Sequence, residues 1–395
     1  MKAILPLFVF IDACGWEIIK DDSFVRDFAP HRRRLDSVFG YSSACVPSIL
    51  SGSWPQDHRN WCYFVYDPLH SPFRRLGWLK WLPQRITGRR IFRRWLSRLV
   101  KVRLRFKGYF DLYNIPFHQI HLYDFSEKKS PLRPGGMNRG PNIFDYLHLR
   151  DVAYHASAPE RSESENTAAL VKQLEDEDID FAFLYWPDLD GLLHRVGNQS
   201  SEIRRKLREY EKELSRILDV ARRHYSEIRL YVFSDHGMAN CDELLNLKAM
   251  IEALPVQEGR DYAVVYDSTM ARFWFFNSRA RWLVSERLTD VPQGRILPDE
   301  ELHELKTFFP DRYFGELIFL VKEGVLIVPS HMGQRPIRAM HGYHPKEAHS
   351  YAALCTNQVE LPDELRAIPD MYRLMIQDAT LAKERNAVYS LALAG

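Results

Sequence analysis

The chain is expected to fold as an α/β protein, with a mostly parallel central sheet, helices on both of its faces, and two insertions. Three observations lead there. Short apolar runs alternate with segments of helical period from residue 7 onward, the pattern of parallel strands joined by crossover helices. Three of those runs end in an aspartate or an acid–histidine pair, at the strand ends where open parallel sheets gather their ligands. Two stretches, 61–139 and 261–329, break the alternation and leave 1–60, 140–260 and 330–395 as the core. The 395 residues suffice for such a core, and 46% hydrophobic with 13% aromatic content indicates a packed interior rather than disorder.

Residues 8–11 form the first expected strand and deliver Asp12 to its tip. Gly15 permits a tight turn into a helix from about residue 16. Capping that helix is the alternative role for Asp12. The apolar N-terminal run resembles a signal peptide only as far as Asp12, where it stops without a small-residue cleavage site. No uninterrupted apolar stretch is long enough to span a bilayer. Five cysteines without C-x-x-C spacing fit a reducing compartment. The expected location is therefore cytoplasmic, with peripheral contact at a membrane as its extension. A short strand is next expected up to Gly40, followed by hydroxyl residues opening a helix-like segment. A serine there meets unpaired N–H groups and a dipole that favour an anion. An ordinary serine cap is the competing reading.

The first insertion is distinctive in charge. No acidic residue lies between Asp67 and Asp111, yet thirteen Lys/Arg fall between Arg74 and Lys107. Trp78, Trp81, Ile86, Ile91, Phe92, Trp95, Leu96, Leu99 and Val100 are interleaved, at helical spacing over 91–100. That composition suits an interfacial helix on an anionic membrane. A basic lid over an anionic substrate and a nucleic-acid patch compete with it. The net charge of +2 gives no global affinity for nucleic acid, so no specific nucleic-acid partner is expected.

The core resumes with a helix over 142–148, a strand over 151–156, an amphipathic segment over 167–174 and a buried strand over 180–186. The segment 202–223 carries a continuous apolar stripe from Ile203 to Ala221. A β-rich run over 228–233 follows, ending in Ser234-Asp235-His236-Gly237. The second insertion reads as strands at 262–266, 271–276, 317–320 and 325–328, with helices near 281–288 and 300–307. A strand over 350–355 and a helix around 371–381 close the core.

Asp190 and His194 lie four apart, so a helical turn puts them on one face as half of a metal site. Asp188 falls on the wrong face and reads as a cap. Together Asp12, Asp190, His194, Asp235, His236 and His341 offer three carboxylates and three imidazoles, a donor set for two adjacent Zn²⁺-like ions. Such a pair clamps the attacking and leaving oxygens of an in-line displacement at phosphorus. A serine at a helix N-terminus would supply the nucleophile.

In this order, Asp12, Ser42, Asp190-x-x-x-His194, Asp235-His236-Gly237 and His341-Gly342-Tyr343 resemble the alkaline phosphatase superfamily, in its nucleotide pyrophosphatase/phosphodiesterase branch. The resemblance covers about 1–55, 140–240 and 335–360. It implies one ion held by Asp190, His194 and His341. A second would be held by Asp12, Asp235, His236 and the nucleophile oxygen. Zn²⁺ is expected, with Mn²⁺ or Mg²⁺ as alternatives. It also implies a covalent phospho-enzyme, with a backbone N–H beside the nucleophile. The family places that nucleophile ten residues before the glycine of Leu-x-Thr/Ser-Gly, which here gives Ser42 before Gly52. Ala44 replaces the family's proline, which keeps Ser43 as the alternative nucleophile or a substrate contact. Tyr343 and His344 are further substrate-contact candidates. Cys45-Val46-Pro47-Ser48-Ile49 partly echoes a sulfatase signature, but Ile49 stands where arginine is needed.

The function expected is cleavage of a phosphodiester or pyrophosphate bond, in a nucleotide- or lipid-linked substrate. Phosphoryl transfer to a sugar hydroxyl on the same site is one alternative. A non-catalytic membrane-surface protein retaining the fold is another.

Overall fold

The computed structural model describes residues 2–74, 81, 90–176 and 179–394. In chain order the first strands are β1 (Lys2–Ile11), β2 (His31–Leu35), β3 (Phe64–Tyr66), β4 (Tyr123–Phe125), β5 (Tyr154–Ala156) and β6 (Phe181–Trp186). Next come β7 (Tyr225–Phe233), β8 (Ala239–Asn240), β9 (Glu243–Leu245), β10 (Tyr262–Tyr266) and β11 (Met270–Phe275). The last are β12 (Gly294–Ile296), β13 (Leu317–Val321), β14 (Val325–Ile327), β15 (Ala339–Met340) and β16 (Ala352–Thr356).

The central sheet has the order β2-β16-β7-β1-β6-β5. β1 pairs in parallel with β7 and β6, and β5 in parallel with β6, while β16 runs antiparallel between β7 and β2. β1 belongs in the middle because both of its faces are apolar. Leu5, Leu7, Val9 and Ile11 pack with the helices Glu163–Glu175 and Ser201–His224. Phe8 and Phe10 face the helices Ser42–Ser51, Ile143–Leu149 and Met371–Ala394. Each of those faces is a separate buried cluster, so the sheet is covered on both sides.

The strand expected up to Gly40 is displaced. The chain instead pairs at His31–Leu35, and only Asp36 makes one further bridge, to Ala367. Three successive arginines hid this strand from a reading by apolar runs. It is tolerated as an edge strand, paired with β16 alone among the described residues. Arg32 donates to the carbonyls of Ile19 and Phe24, and Arg34 lies 4.0 Å above the Tyr351 ring. The helix expected from residue 16 is a single turn, Trp16–Ile19.

The first insertion contains the antiparallel pair β3–β4, which was not expected, and the helix Arg90–Arg103. Trp78 and Ile86 lie outside the described residues. The second insertion forms an antiparallel sheet, β10-β11-β13-β12, with the helix Ser278–Thr289. Arg272 on β11 is fully buried and joins the two insertions. It donates to Asp267 at 2.8 Å, to the Phe314 carbonyl at 3.0 Å and to the Phe64 carbonyl at 2.7 Å. A short ribbon, β8 with β15, sets Met340 opposite Ala239 and so brings the chain back beside the end of β7.

Candidate metal centre

Strand register explains why distant acids meet. Phe10 on β1 lies opposite Phe233 on parallel β7, so Asp12 and Asp235, each two residues further on, emerge at one level. The two strand ends approach closely through glycines. A Cβ on Gly15 would sit 2.2 Å from the Gly237 Cα, so neither turn has room for a side chain between them. On the other side of β1, Ile11 pairs with Trp186, and the helix Asp188–Val196 starts two residues later. Asp190 lies in its first turn and His194 one turn on. The β8–β15 ribbon then places His341 immediately after Met340, over the same strand ends.

Two trios result, and in each the donor atoms lie within 4.8 Å of one another. One is Asp12, Asp235 and His236. His236 Nε2 lies 3.2 Å from Asp235 Oδ2 and 3.7 Å from Asp12 Oδ1. The other is Asp190, His194 and His341. Asp190 Oδ1 lies 3.3 Å from His194 Nε2 and 3.6 Å from His341 Nε2. The rings of His236 and His341 stack at 3.9 Å between centroids, so the trios share a wall.

Backbone groups orient the ligands. His236 Nδ1 bonds the Gly237 carbonyl at 2.9 Å and His194 Nδ1 the Ala339 carbonyl at 2.8 Å. A carbonyl accepts only, so each Nδ1 carries a proton and Nε2 is the nitrogen that each ring turns inward. Asp235 Oδ1 accepts from the Ala13 and His236 N–H groups at 3.2 and 2.9 Å. Tyr185, at the end of β6, donates its hydroxyl to Asp12 Oδ2. Asp12 therefore does not cap the Trp16–Ile19 helix, whose cap residue is Gly15. Asp188 is no cap either: Pro187 holds that position, and Asp188 points outward toward Lys206 at 3.7 Å.

Electrostatics ask for a cation. Burial, then the carboxylates of Asp235 and Asp190, hold the Asp12 carboxyl well above its ordinary range. Burial pushes Asp235 up to about 7. Burial also works upward on Asp190, but His194, with His341 and His236 behind it, keeps that carboxyl below its ordinary value. The fit to metal ions rests on unpaired donors. Among the described residues, Asp12 Oδ1, Asp190 Oδ1, Asp235 Oδ2 and His341 Nδ1 are buried without a hydrogen-bond partner. Orphaned buried atoms on one ligand set are costly, and bound cations would satisfy the carboxylate oxygens.

Ser42 opens the helix Ser42–Ser51, with its Oγ 3.1 Å from His236 Nε2. The Ser42 and Ser43 N–H groups open this helix, where helix geometry leaves them without intrahelical acceptors, while the Ala44 N–H already bonds the Tyr41 carbonyl at 2.7 Å. Ser43 is buried and donates its hydroxyl to the Trp61 carbonyl instead. Tyr343 is buried in the second insertion's core with its hydroxyl on the Val325 carbonyl at 3.0 Å. His344 Nε2 lies 3.1 Å from Glu301 Oε1. The geometry thus gathers seven of the expected residues and leaves Ser43, Tyr343 and His344 with partners of their own.

Sequence reasoning missed three supporting residues. Tyr185 stood in plain view at a strand end, but nothing in its spacing marked it as Asp12's partner. Tyr41 donates to Thr269 Oγ1 at 2.8 Å, and Thr269 in turn donates to the Gly342 carbonyl at 2.8 Å. The ring of Tyr41 can approach because residue 342 is glycine at φ +89, where a Cβ would lie 2.5 Å from that ring. This chain links the Ser42 helix to the His341 loop through a loop residue with no sequence signal.

Comparison with known proteins agrees with the fold. The family model described as type I phosphodiesterase / nucleotide pyrophosphatase matches residues 32–344. Among solved structures, human ectonucleotide pyrophosphatase/phosphodiesterase 5 superposes with a TM-score of 0.64 at 14% identity, over 96% of this chain and 95% of that one. The murine protein gives 0.64 at 15% identity with the same coverage. Its inactive threonine-to-alanine variant, in complex with AMP, gives 0.60 at 14% identity, again over 96% and 95%. No curated protein matches the sequence.

Proposed function

The chain belongs to the type I phosphodiesterase / nucleotide pyrophosphatase family, a family of hydrolases, and from that premise we propose a two-metal phosphohydrolase acting through a phosphoserine on Ser42. The observation that carries this reading is the position of Ser42 Oγ, 3.1 Å from His236 Nε2 at the shared edge of both trios.

Asp12, Asp235 and His236 would hold one divalent ion and Asp190, His194 and His341 the other. Zn²⁺ suits this mixture of imidazole and carboxylate donors. When bound, the ions supply charge neutralisation at phosphorus and lower the serine hydroxyl's pKa. The chain's own residues do the rest. Ser42 attacks phosphorus, its Oγ–P bond forming as the bond to the leaving oxygen breaks. The helix N-terminal amides around Ser42 and Ser43 bind a phosphoryl oxygen. Water then cleaves this phosphoryl–serine ester, releasing the phosphomonoester and restoring the hydroxyl. The substrate is a phosphodiester or pyrophosphate, nucleotide- or lipid-linked; the AMP held by the murine relative supports the nucleotide end.

Metal analysis with turnover of paired aryl phosphate mono- and diesters tests this. Ser42→Ala should lose at least about a thousandfold in turnover with metal content unchanged. Acid quench of the wild type turning over a diester should trap its monosubstituted phosphoryl group on Ser42. Ser43→Ala should remain active, and a dead Ser43→Ala beside an active Ser42→Ala would transfer the role to Ser43.

A further inference from the structure

The helix Arg90–Arg103 has two faces with different partners. Its inner face is fixed to the protein. Arg93 is buried, donating to the carbonyls of Tyr113 and Ile115 at 2.8 and 2.9 Å, with its guanidinium 4.8 Å over the Phe117 ring. Ser97 and Val100 are buried on the same side, and the Ser97 hydroxyl accepts from the Leu112 N–H at 3.0 Å. The outer face is the reverse. Ile91, Trp95, Leu99 and Val102 are 84, 58, 48 and 78% exposed, and their spacing of four, four and three aligns them in one stripe. The exposed Arg94, Arg98 and Arg103 lie along that stripe.

We propose that this outer face docks the protein on the surface of an anionic lipid bilayer, with the helix lying in the plane of the interface. Charge complementarity selects the partner. No acidic residue occurs between Asp67 and Asp111, so the helix itself carries no carboxylate to repel negatively charged headgroups. The apolar stripe selects a bilayer over a polyanion. Isoleucine, leucine and valine cannot stack on bases and would remain wet against nucleic acid, but they gain by entering the acyl boundary. Tryptophan and arginine flanking that stripe suit the headgroup level, where an indole and a snorkelling guanidinium are both satisfied. At 14 residues the helix is about 21 Å long. Among the described residues, no helix is long and apolar enough to cross a membrane, so lying on one is the arrangement that uses this face. The inner face explains how the docked helix keeps its orientation: buried Arg93 and Ser97 tie it to the chain over 111–115 before any lipid is met.

The test is flotation of the full-length protein with phosphatidylcholine vesicles, with and without phosphatidylserine, beside gel-shift with a single-stranded oligonucleotide. Binding is expected to the serine-containing vesicles alone, weakening as salt rises. Trp95→Ser with Leu99→Ser should lower partitioning by about tenfold or more, and Arg94→Gln with Arg98→Gln by a similar factor. Both double variants should hydrolyse a soluble aryl phosphodiester at the wild-type rate, which shows them folded. The proposal falls if the variants float as the wild type does. It also falls if the oligonucleotide binds more tightly than the vesicles. Loss of activity on the soluble diester with flotation intact would overturn it in favour of a substrate lid.

Discussion

Asp12, Asp235 and His236 sit buried at the ends of two paired strands, whereas Asp190 and His194 stand with side chains 23% exposed on a helical turn. The residue types are the same, but the balance of charge is opposite. The strand-end trio sets two carboxylates against one imidazole. The helical trio sets one carboxylate between His194 at 3.3 Å and His341 at 3.6 Å. The first is therefore short of positive charge without an ion, and the second compensates itself. Geometry at the strand ends is guaranteed by sheet register, and the unbalanced quantity there is charge. At the helical trio charge is nearly balanced, and geometry depends on a ribbon and a loop contributed by later parts of the chain.

The largest expected effect separates the two trios by sign. In Asp235→Asn the remaining carbonyl oxygen can still accept from Ala13 and His236, so the turn is preserved while a ligand is lost. Turnover should fall by on the order of 10²–10³ or more, the scale of losing a charge-stabilising group. Bound metal should drop by one equivalent. Asp190→Asn should also lose one equivalent. Their chelated forms should differ: Asp235→Asn melts higher than chelated wild type, because one of two repelling buried carboxylates is gone. Asp190→Asn melts lower, because the His194 imidazolium loses its counter-charge. Shifts on the order of 1–3 kcal/mol are expected in each direction. Equal signs would refute the contrast.

Tyr185→Phe probes how the strand-end trio is aimed. It removes one hydroxyl from Asp12 and no ligand. Metal affinity at that trio should weaken about 10–100-fold, the usual cost of losing a ligand's hydrogen-bond partner. A competition titration should show the other site unchanged. If both sites weaken equally, Tyr185 supports the whole pocket and not Asp12 in particular.

How much of this was legible in the sequence follows the same division. The strand-end ligands were readable because an apolar run ending in an acid is a local pattern, and parallel strands converge by topology. Asp190 and His194 were readable from helical spacing. His341 was readable only as a histidine in a glycine-containing loop, and its grouping with Asp190 and His194 came from the resemblance, since its place depends on the pairing of Met340 with Ala239, a contact between residues a hundred positions apart. β2 was missed because its arginines satisfy themselves on Ile19, Phe24 and Tyr351, partners that no local pattern reveals. β3 and β4 were missed for the same reason: three residues each, they exist by pairing across the intervening insertion.

A pH series on the chelated protein tests the charge argument directly. Burial works downward on His194, but Asp190 outweighs it and raises the imidazole to about 9. A folded value above the unfolded ~6.5 means stability that is full below that pH and lost as pH rises toward 9. The raised carboxyls of Asp12 and Asp235 act in the same direction at lower pH, losing stability from ~4 up toward 7 for Asp235. His341, held low by burial, is neutral in both states above its ordinary range and adds no slope there. The chelated protein should therefore lose on the order of 1–2 kcal/mol of stability between pH 6.5 and 9. Asp190→Asn should flatten that loss, and a rising melting temperature across this window would contradict it.

The smallest effect expected concerns what holds the helical trio's loop to the Ser42 helix. Thr269 takes the Tyr41 hydroxyl and gives its own to Gly342, beside His341. Thr269→Val keeps the shape and deletes both bonds, leaving the Gly342 carbonyl unpaired and the Tyr41 hydroxyl with the residue-269 N–H at 3.2 Å as its remaining partner. Stability should fall by about 1–2 kcal/mol, with two metal equivalents still bound. Tyr41→Phe alone should cost a similar amount, since it leaves the Thr269–Gly342 bond in place but removes the acceptor of the Thr269 N–H. The double variant should then be less destabilised than the sum, by about 0.5 kcal/mol or more, because the two residues share one bond. Additive losses would mean that each hydroxyl acts independently. The Ser42 helix and the His341 loop would then be held together by packing of the Tyr41 ring against Gly342 and the His341 ring, contacts these substitutions leave intact.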